Sequence, residues 1–335
     1  MRTALAKRFR SRLRAVLPAP AKRLLRAVLA ALAKRFRRGA PIQRPAGRRD
    51  GPQPIYNLHH LKNRNIGDRA CVPLTYFRSL ATPRMRLMDV SLTDPLVSSL
   101  TDEIVVLGGG GLLLPWCWHK IIQPLLERRN KVIAWGIGHH HDDVHVYKKV
   151  PRSDWRTSAT AYQQNYPVES FWICGLRDDG QPGDYVPCSS CMSPLFDRKY
   201  AVIRDVVVYE HGALAPIAIT GIPTISNVGE ISLADVIGFL GSGRHVLTNS
   251  YHGMYWSILL GRKVLLYEPW CSKFQMLRYA VTVCDRDDWK EKLDLSKAYP
   301  EALAECRTLN RRFAAKVFGA IDAEILRRRA GSPSS

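Results

Sequence analysis

Short apolar runs alternate with helix-length segments along most of the chain. The runs occupy residues 103–107, 131–135, 206–209, 223–226, 245–249 and 264–267, and each ends in glycine or polar residues. Residues 233–240 have helical spacing between two of these runs. Strands of a parallel sheet are buried on both faces, so they read as continuous apolar runs joined by helices. The pattern therefore predicts an α/β fold with parallel sheets.

The apolar runs fall into two series that separate near residues 193–204. This predicts two doubly wound, Rossmann-like halves that face each other across a cleft. We place the first half at residues 51–198 and the second, with a closing helix, at residues 199–330. Ligands of open α/β sheets bind beyond the carboxyl ends of the strands. We therefore expect the functional residues in the polar turns at those ends.

Residues 1–50 differ from the rest of the chain in pattern. The segment of residues 4–10 recurs as residues 31–37, and Pro18 and Pro20 stand between the two copies. Around the second copy, apolar residues recur at three- and four-residue steps, with arginine and lysine on the opposite side of the same helix. This predicts a basic amphipathic helical arm with a proline hinge, followed by a linker.

The positive charge of the chain is concentrated in this arm. Residues 1–49 hold 16 of the 50 Lys and Arg and no Asp or Glu, so only about +5 of the net charge of +21 falls on the other residues. A domain that reads a nucleic-acid backbone needs its basic residues on the folded part. No specific nucleic-acid partner is therefore expected.

The arm favours a peripheral anchor on the anionic, cytoplasm-facing surface of a membrane. No stretch approaches the roughly 20 apolar residues of a spanning helix. The alternatives are a solvated tail that binds RNA, a secretion signal and a mitochondrial transit peptide. A secretion signal would end in a small-residue cleavage site, and a transit peptide would contain more serine than Ser11. We expect a cytoplasmic protein, peripheral on the cytoplasmic face of the membrane.

Eight cysteines and a histidine cluster raise the question of a metal. The cysteines are scattered, which is typical of a reducing compartment, and only Cys188 and Cys191 have ligand-like spacing, without the second pair of a zinc site. Residues 139–145 contain four histidines and two aspartates, but consecutive side chains rarely converge on one ion. The turn Gly136-Ile137-Gly138 lacks the third glycine of the dinucleotide fingerprint. We expect neither a metal nor a bound cofactor.

Six short motifs occur in order over residues 55–275. They are Asn65-Ile66-Gly67-Asp68, the run Gly108 to Gly111, Gly136-Ile137-Gly138, Arg177-Asp178, Asn249-Ser250-Tyr251-His252-Gly253 and Ser272-Lys273-Phe274. Together they resemble the polysaccharide pyruvyl transferase family. The resemblance implies a GT-B-like fold, phosphoenolpyruvate as the donor co-substrate and a sugar hydroxyl pair as the acceptor. Where many relatives have Arg-Leu-His, this chain has Ser250-Tyr251-His252, which removes a cation near the donor.

The chemistry of this donor explains the residue types that the site would need. Phosphoenolpyruvate brings a carboxylate and a phosphate, for which Arg177 offers a bidentate fork and Lys273 a point charge. Glycine amides can also approach an anion closely. Arg177 and Asp178 could instead form an ordinary surface ion pair. The predicted donor-binding residues are Arg177, Lys273, Ser250, Asn249, Gly109 and Gly110.

Ketal formation requires an acid and then a base. Protonation of the enol carbon creates an oxocarbenium-like centre that one hydroxyl attacks, and the second hydroxyl then displaces phosphate. Histidine can pass a proton either way near neutral pH. We predict His252 as the catalytic residue, with His139 and His211 as second candidates. His252 could instead cap the following helix or satisfy a buried carbonyl, and His139 could serve only for positioning.

The acceptor is predicted to contact Asn65, Asp68 and His211. Asp68 could instead cap the helix that begins near Arg69, and His211 could be a surface residue. Five aromatic residues could stack on sugar faces, although such residues more often pack in the core. They are Trp116, Trp118, Tyr255, Trp256 and Trp270.

Three functions stay open at this point. The first is a transferase that forms a pyruvate ketal on a polysaccharide or lipid-linked oligosaccharide. The second is a nucleotide-sugar glycosyltransferase of the same architecture. The third is a non-catalytic, membrane-tethered glycan-binding protein.

Overall fold

A computed structural model describes residues 53–60, 64–77, 85–90, 95–140, 166–274 and 276–330. They belong to one compact unit, Gly51–Ser335. The predicted basic arm and residues 141–145 of the histidine cluster lie outside the described residues. Among the helices that are described, none is long and apolar enough to cross a membrane.

Six parallel strands form the sheet of the N-terminal half. They are β1 (Ile55–His59), β2 (Met85–Asp89), β3 (Ile104–Gly108), β4 (Lys131–Ile137), β5 (Ile173–Leu176) and β6 (Asp184–Tyr185). Their order across the sheet is β2-β1-β3-β4-β5-β6. The chain winds in opposite directions from β1 and from β3. The space beyond the carboxyl ends of these two strands is therefore a topological switch point, where ligands bind in open α/β sheets.

Five parallel strands form the sheet of the C-terminal half. They are β7 (Arg204–Glu210), β8 (Thr224–Ser226), β9 (Gly243–Thr248), β10 (Lys263–Tyr267) and β11 (Thr282–Cys284). The order is β11-β10-β9-β7-β8. The chain again winds outward in both directions, so the second switch point lies between β7 and β9.

Both sheets are buried on both faces. In β3, Val105 and Val106 pack into different apolar cores, and in β9 Val246 and Leu247 do the same. Successive side chains of a strand point to opposite faces, so a strand covered on both sides needs an apolar residue at every position. This explains the continuous apolar runs and confirms the predicted α/β fold with parallel sheets flanked by helices.

Helices connect the strands and cover the sheets. They are α1 (Ile66–Ala70), α2 (Pro73–Tyr76), α3 (Pro95–Ser99), α4 (Pro115–Cys117), a π-helical turn (Trp118–Ile122), α5 (Gln123–Glu127), α6 (Leu233–Ser242), α7 (Tyr251–Leu259) and α8 (Ala302–Ala330). Helix α6 matches the predicted helix of residues 233–240. It begins with a capping box, because the Ser232 side chain accepts from the Asp235 N–H while the Asp235 carboxylate accepts from the Ser232 N–H.

The long helix α8 links the two halves. Its start belongs to the C-terminal core through Ala302 and Cys306, whereas Phe313 and Val317 pack under the N-terminal sheet. Between these ends, the fully buried Asn310 accepts a hydrogen bond from Trp135 Nε1 at 3.1 Å and donates to the Pro187 carbonyl at 3.0 Å. The helix therefore packs against both halves and connects them.

Candidate functional site

A cleft of about 350 Å³ lies where the carboxyl ends of the two sheets meet. It takes residues from the turns that follow β1, β3, β5, β7, β9 and β10. Those turns include both topological switch points, as the chain order of the strands requires. The cleft is lined by His60, Asn65, Asp68, Gly110, Gly111, Leu114, Trp116, His140, Arg177, His211, Ala213, Val228, Ser250, Tyr251, His252, Trp270 and Lys273.

Backbone contacts join the two walls beside the cleft. The Ile66 N–H donates to the Asn227 carbonyl at 3.0 Å, and Asn65 forms an antiparallel bridge with Val228. On another side, the Asp179 N–H donates to the Met276 carbonyl at 2.7 Å. The walls are thus held by hydrogen bonds in addition to helix α8.

Only part of the glycine run after β3 lines the cleft. Gly110 (φ 84°) and Gly111 line the cleft, but Gly109 (φ 64°) does not. The Gly109 N–H donates to the Trp135 carbonyl at 3.2 Å, and a methyl group on Gly109 would lie 2.4 Å from Cys71 Cβ. Gly109 therefore serves close backbone packing, and its contact with a donor stays a prediction.

Arg177 follows β5 and is 2% exposed. Its guanidinium carbon lies 4.0 Å from the centre of the Tyr251 ring, a cation–π contact. The Nε atom of Arg177 has no hydrogen-bond partner within the part of the chain that the structure describes. The alternative of a surface ion pair with Asp178 is wrong, because both side chains are buried and Asp178 accepts from a different residue.

Lys273 is the second cation of the cleft and is 7% exposed. Its Nζ lies 4.2 Å from the centre of the Trp270 ring. Burial and the charge of Arg177 lower the pKa of Lys273. A hydrogen bond with Cys271 acts in the opposite direction and raises this pKa. Within the described ranges, neither Lys273 nor Arg177 forms an ion pair with a carboxylate. Among the described residues, the cleft thus holds two buried cations on which the carboxylates of Asp68 and Asp178 act without a direct ion pair.

His252 lies in the first turn of α7. Its Nε2 is 3.7 Å from Cys188 Sγ, and its ring packs against Trp256 with centroids 5.0 Å apart. A methyl group on Gly67 would lie 2.1 Å from Nδ1, so the ring needs a glycine at that position. The N-cap of α7 is Ser250, and its side chain makes no capping hydrogen bond. The capping alternative for His252 is therefore wrong.

His139 lies behind the cleft rather than in it. Its N–H donates to Asp178 Oδ2 at 2.6 Å and its Nδ1 lies 2.8 Å from the same oxygen. The residue is 2% exposed and does not line the cleft. Asp178 and His139 together fix the turn that carries Arg177, which is the positioning role considered for His139, and its catalytic role stays a prediction.

Asn249 also supports the site from behind. Its Oδ1 accepts from the His211 N–H at 2.7 Å, and its carbonyl accepts from Trp270 Nε1 at 2.9 Å. It does not line the cleft, whereas its neighbour Ser250 does. Asn249 thus holds His211 and Trp270, which face the cleft, and donor binding by Asn249 stays a prediction.

The three residues predicted for the acceptor all line the cleft. Asn65 Oδ1 accepts from the Gly67 N–H at 2.9 Å and caps α1, so the capping role considered for Asp68 belongs to Asn65. The His211 ring lies 5.2 Å from the Trp270 ring between centroids. Burial, and then the charge of Lys273, lower the pKa of His211 to about 4. His211 is therefore neutral at neutral pH.

The aromatic residues divide into two groups. Trp118, Tyr255 and Trp256 are buried in the cores. Trp116 and Trp270 line the cleft, and Trp116 is 40% exposed. Of the five aromatic residues considered, Trp116 and Trp270 are placed to stack on a ligand.

Several residues of the site were not predicted from the sequence. His60 and His140 line the cleft, and Cys188 contacts His252. His60 follows an apolar strand directly, which is a signal that the sequence carries. Cys188 comes from a loop 64 residues before His252, and its contact has no sequence signal.

The residues of the site do not suggest a metal. Within the described ranges, no group of three or more His, Cys, Asp or Glu residues is arranged to hold a metal ion. Cys188 and Cys191 point to different partners, since Cys191 Sγ accepts from Asn310 Nδ2 at 3.4 Å.

Comparisons with known proteins add little to this picture. No protein-family model matches the sequence, and no curated protein matches it. Among solved structures, an uncharacterised protein from Klebsiella pneumoniae is similar to this chain with 16% identity and a TM-score of 0.36, over 65% of this chain and 83% of that protein.

Proposed function

We propose that the chain transfers the pyruvate unit of phosphoenolpyruvate to two hydroxyls of a sugar, forming a ketal. The observation that supports this most is the convergence of Arg177, Lys273 and His252 in one cleft. These residues are far apart in the sequence and include two buried cations and one histidine. The sequence motifs that contain them are those that resemble the pyruvyl transferases.

The two cations suit a small donor with several negative charges. Burial of unpaired charge is costly, so a cleft with two such cations is best completed by an anion. The phosphate and carboxylate of phosphoenolpyruvate would supply it, with the arginine as a fork and the lysine as a point charge. Lys273 would also replace the cation that the family motif loses at Ser250.

His252 is the residue that we propose for proton transfer. A proton is added to C3 of phosphoenolpyruvate, and one sugar hydroxyl bonds to C2. The second hydroxyl then bonds to C2 while the C2–O bond to phosphate breaks. The two hydroxyl protons balance the proton taken up by C3 and the proton that leaves with phosphate. No redox partner or metal takes part in this balance.

The acceptor would lie on the wall that carries Asn65, Asp68 and His211. Trp116 and Trp270 offer apolar ring faces of the kind on which sugars stack. The full proposal includes a GT-B-like arrangement of the two halves and a glycan acceptor that could be lipid-linked. Residues 1–49 would attach the protein to the cytoplasmic face of the membrane, where such an acceptor is found.

Phosphate release and acceptor mass test this proposal. Purified full-length protein is incubated with phosphoenolpyruvate and a mixture of cell-envelope glycans. We expect phosphate release that depends on the glycan, and a pyruvate-sized mass increase on one glycan species. Stabilisation by sugar nucleotides but not by phosphoenolpyruvate would favour the glycosyltransferase instead. Retention of the biological role by His252→Ala would favour a non-catalytic glycan-binding protein.

A further inference from the structure

One cysteine contacts the cleft histidine from the protein interior. Cys188 is fully buried, and its Sγ lies 3.7 Å from His252 Nε2. Its backbone carbonyl accepts from Tyr255 Oη at 2.9 Å, and Ser190 Oγ lies 3.2 Å from its Sγ. The sulfur is therefore held in place from two sides, and the histidine ring is held with it.

The other ring nitrogen of His252 is the one left for a ligand. Among the residues that the structure describes, none forms a hydrogen bond with Nδ1, and this atom is not closed off from solvent. Its neighbour is Gly67, where even a methyl group would overlap it. Gly67 therefore places no side chain against this edge of the ring. It belongs to helix α1, which also carries Asp68 into the cleft.

We propose that Cys188 is a positioning residue whose sulfur accepts a hydrogen bond from the Nε2–H of His252, so that Nδ1 is the atom that exchanges a proton with the ligand. In this arrangement the Nε2–H bond is never broken. Nδ1 gives up its proton when the ring is cationic, and it takes a proton back when the ring is neutral. The role of the sulfur is the one that a carboxylate has in a serine–histidine–aspartate triad.

A thiol sulfur is a weak hydrogen-bond acceptor and a thiolate is a strong one, and the surroundings of Cys188 favour the thiolate. Burial alone would raise the pKa of the Cys188 thiol, but hydrogen bonds with Cys71 and His252 bring it well below its ordinary value. A hydrogen bond with Cys188 and burial raise the pKa of Cys71, which therefore keeps its proton. The Cys71 S–H can donate a hydrogen bond to Cys188 or to the Asp68 carbonyl oxygen, which lies 3.0 Å from Cys71 Sγ.

The other charged and titratable groups around the pair come from separate elements. Arg177, after β5, interacts with both thiols and favours a negative sulfur. The negative charge of the Asp68 carboxylate raises the pKa of Cys71. Tyr251, on the same helix as His252, stays neutral because burial raises its pKa. The balance of these charges supports one anionic sulfur, at Cys188.

Nuclear magnetic resonance of the histidine side-chain nitrogens in the full-length protein tests the inference. We expect the neutral ring of His252 to carry its proton on Nε2 in the parent. Cys188→Ser should lower the share of the Nε2–H tautomer, because a neutral serine hydroxyl can donate to Nε2 as well as accept from it. Thiolate absorbance at neutral pH should be present in the parent and lost in Cys188→Ser. Cys117→Ser removes a buried thiol remote from the cleft and should change neither signal.

Two results would overturn the inference: a parent ring with Nδ1–H, or a parent without thiolate absorbance. Both are measured on the unaltered protein, so they stand even where a variant fails to fold. The catalytic consequence rests on the proposed function. There we expect Cys188→Ser to lower turnover about 10-fold or more, with a changed pH profile and an unchanged KM for phosphoenolpyruvate. If the spectroscopic signals are as expected and no pyruvate is transferred, the proposed function fails while the Cys188–His252 pair stands.

Discussion

Charge at single positions sets what the cleft can bind. Arg177 and Lys273 are both buried, and the charge of Arg177 lowers the pKa of Lys273. Two like charges destabilise each other in a medium of low dielectric constant. An anionic ligand relieves this repulsion and gains charge-assisted hydrogen bonds. The repulsion between Arg177 and Lys273 therefore favours the binding of a dianion in the cleft.

The histidine should act on the rate rather than on binding. We expect His252→Ala to lower turnover about 10²- to 10⁴-fold, because a proton-transfer group contributes mainly in the transition state. The affinity for phosphoenolpyruvate should change little. Steady-state kinetics with ligand binding measured separately distinguish the two effects. His119→Ala, at an exposed position, is the control, and near-parental turnover of His252→Ala would remove His252 from the mechanism.

His211 should make stability depend on pH. Its pKa is about 4 in the folded protein against 6.5 for an ordinary histidine, so the unfolded chain binds this proton first. The free energy of unfolding is therefore unaffected above pH 6.5, declines as the pH falls from 6.5 to 4 and levels off below that.

Because His211 is partly exposed, we expect a contribution of about 1 to 2 kcal/mol. His211→Asn should lack this decline, and the difference between parent and variant in urea unfolding at several pH values isolates it. His119→Asn is the matched control. Equal slopes for parent and His211→Asn would contradict the assignment.

The sequence predicts the residues that face the cleft better than those that support them. Arg177, Lys273 and His252 follow strand ends, where parallel sheets bind ligands, and their charge marks them. Asn249 and His139 occupy similar places but turn inward to hydrogen-bond other turns. Sequence position alone does not show whether such a side chain points into the cleft or away from it. Its direction depends on the hydrogen-bond partner that the neighbouring element offers.

At the scale of elements, helix α8 is the main connection between the halves away from the cleft. Its buried face includes Phe313, which packs edge-on against Trp135 with ring centroids 5.3 Å apart. A helix anchored in both halves transmits their relative position to the cleft. Loss of its packing should therefore affect both stability and ligand binding.

We expect Phe313→Ala to destabilise the protein by about 3 to 5 kcal/mol, because it removes a large buried ring and leaves a cavity. The affinity for phosphoenolpyruvate should fall as well if the helix sets the position of the two walls. Denaturant unfolding measures the first effect. Arg312→Ala, on the exposed side of the same turn, should change stability by less than about 0.5 kcal/mol. A small effect of Phe313→Ala would show that the helix is not needed to hold the sheets.

Apolar runs predicted several of the strands, but they missed the fully buried strand β1 and found β8, which is partly exposed. Strands β3, β4, β9 and β10 are long and buried, and their predicted bounds agree with the structure within two residues. Strand β2 begins with partly exposed residues and β6 has only two residues, so neither forms an apolar run. Their strand conformation comes from pairing with β1 and β5, which a single sequence does not display.

At the scale of the whole molecule, the charge distribution separates the folded unit from the basic arm. The site residues all lie in the folded unit, and the arm holds most of the excess charge. An enzyme tethered to the membrane would meet a membrane-bound acceptor at a higher effective concentration than a free enzyme would. Surface attraction of this kind is screened over about 8 Å at physiological ionic strength.

We expect deletion of residues 1–49 to release the protein from anionic vesicles and to leave its melting temperature and its activity on soluble acceptors unchanged. Co-sedimentation with vesicles measures the binding, and binding of the full chain should fall as salt is added. Neutral vesicles are the control for the lipid charge. Sedimentation of the shortened protein with anionic vesicles would assign membrane binding to the folded unit instead.

Calorimetric titration with phosphoenolpyruvate tests the central claim, that the cleft is an anionic donor site built on two buried cations. The full-length parent should bind, and Arg177→Ala and Lys273→Ala should each lose about 1.5 to 3 kcal/mol, or roughly 10- to 100-fold in Kd. Lys290→Ala removes an exposed lysine outside the cleft and should bind like the parent. No binding by the folded parent, or equal binding by all four proteins, would contradict the account.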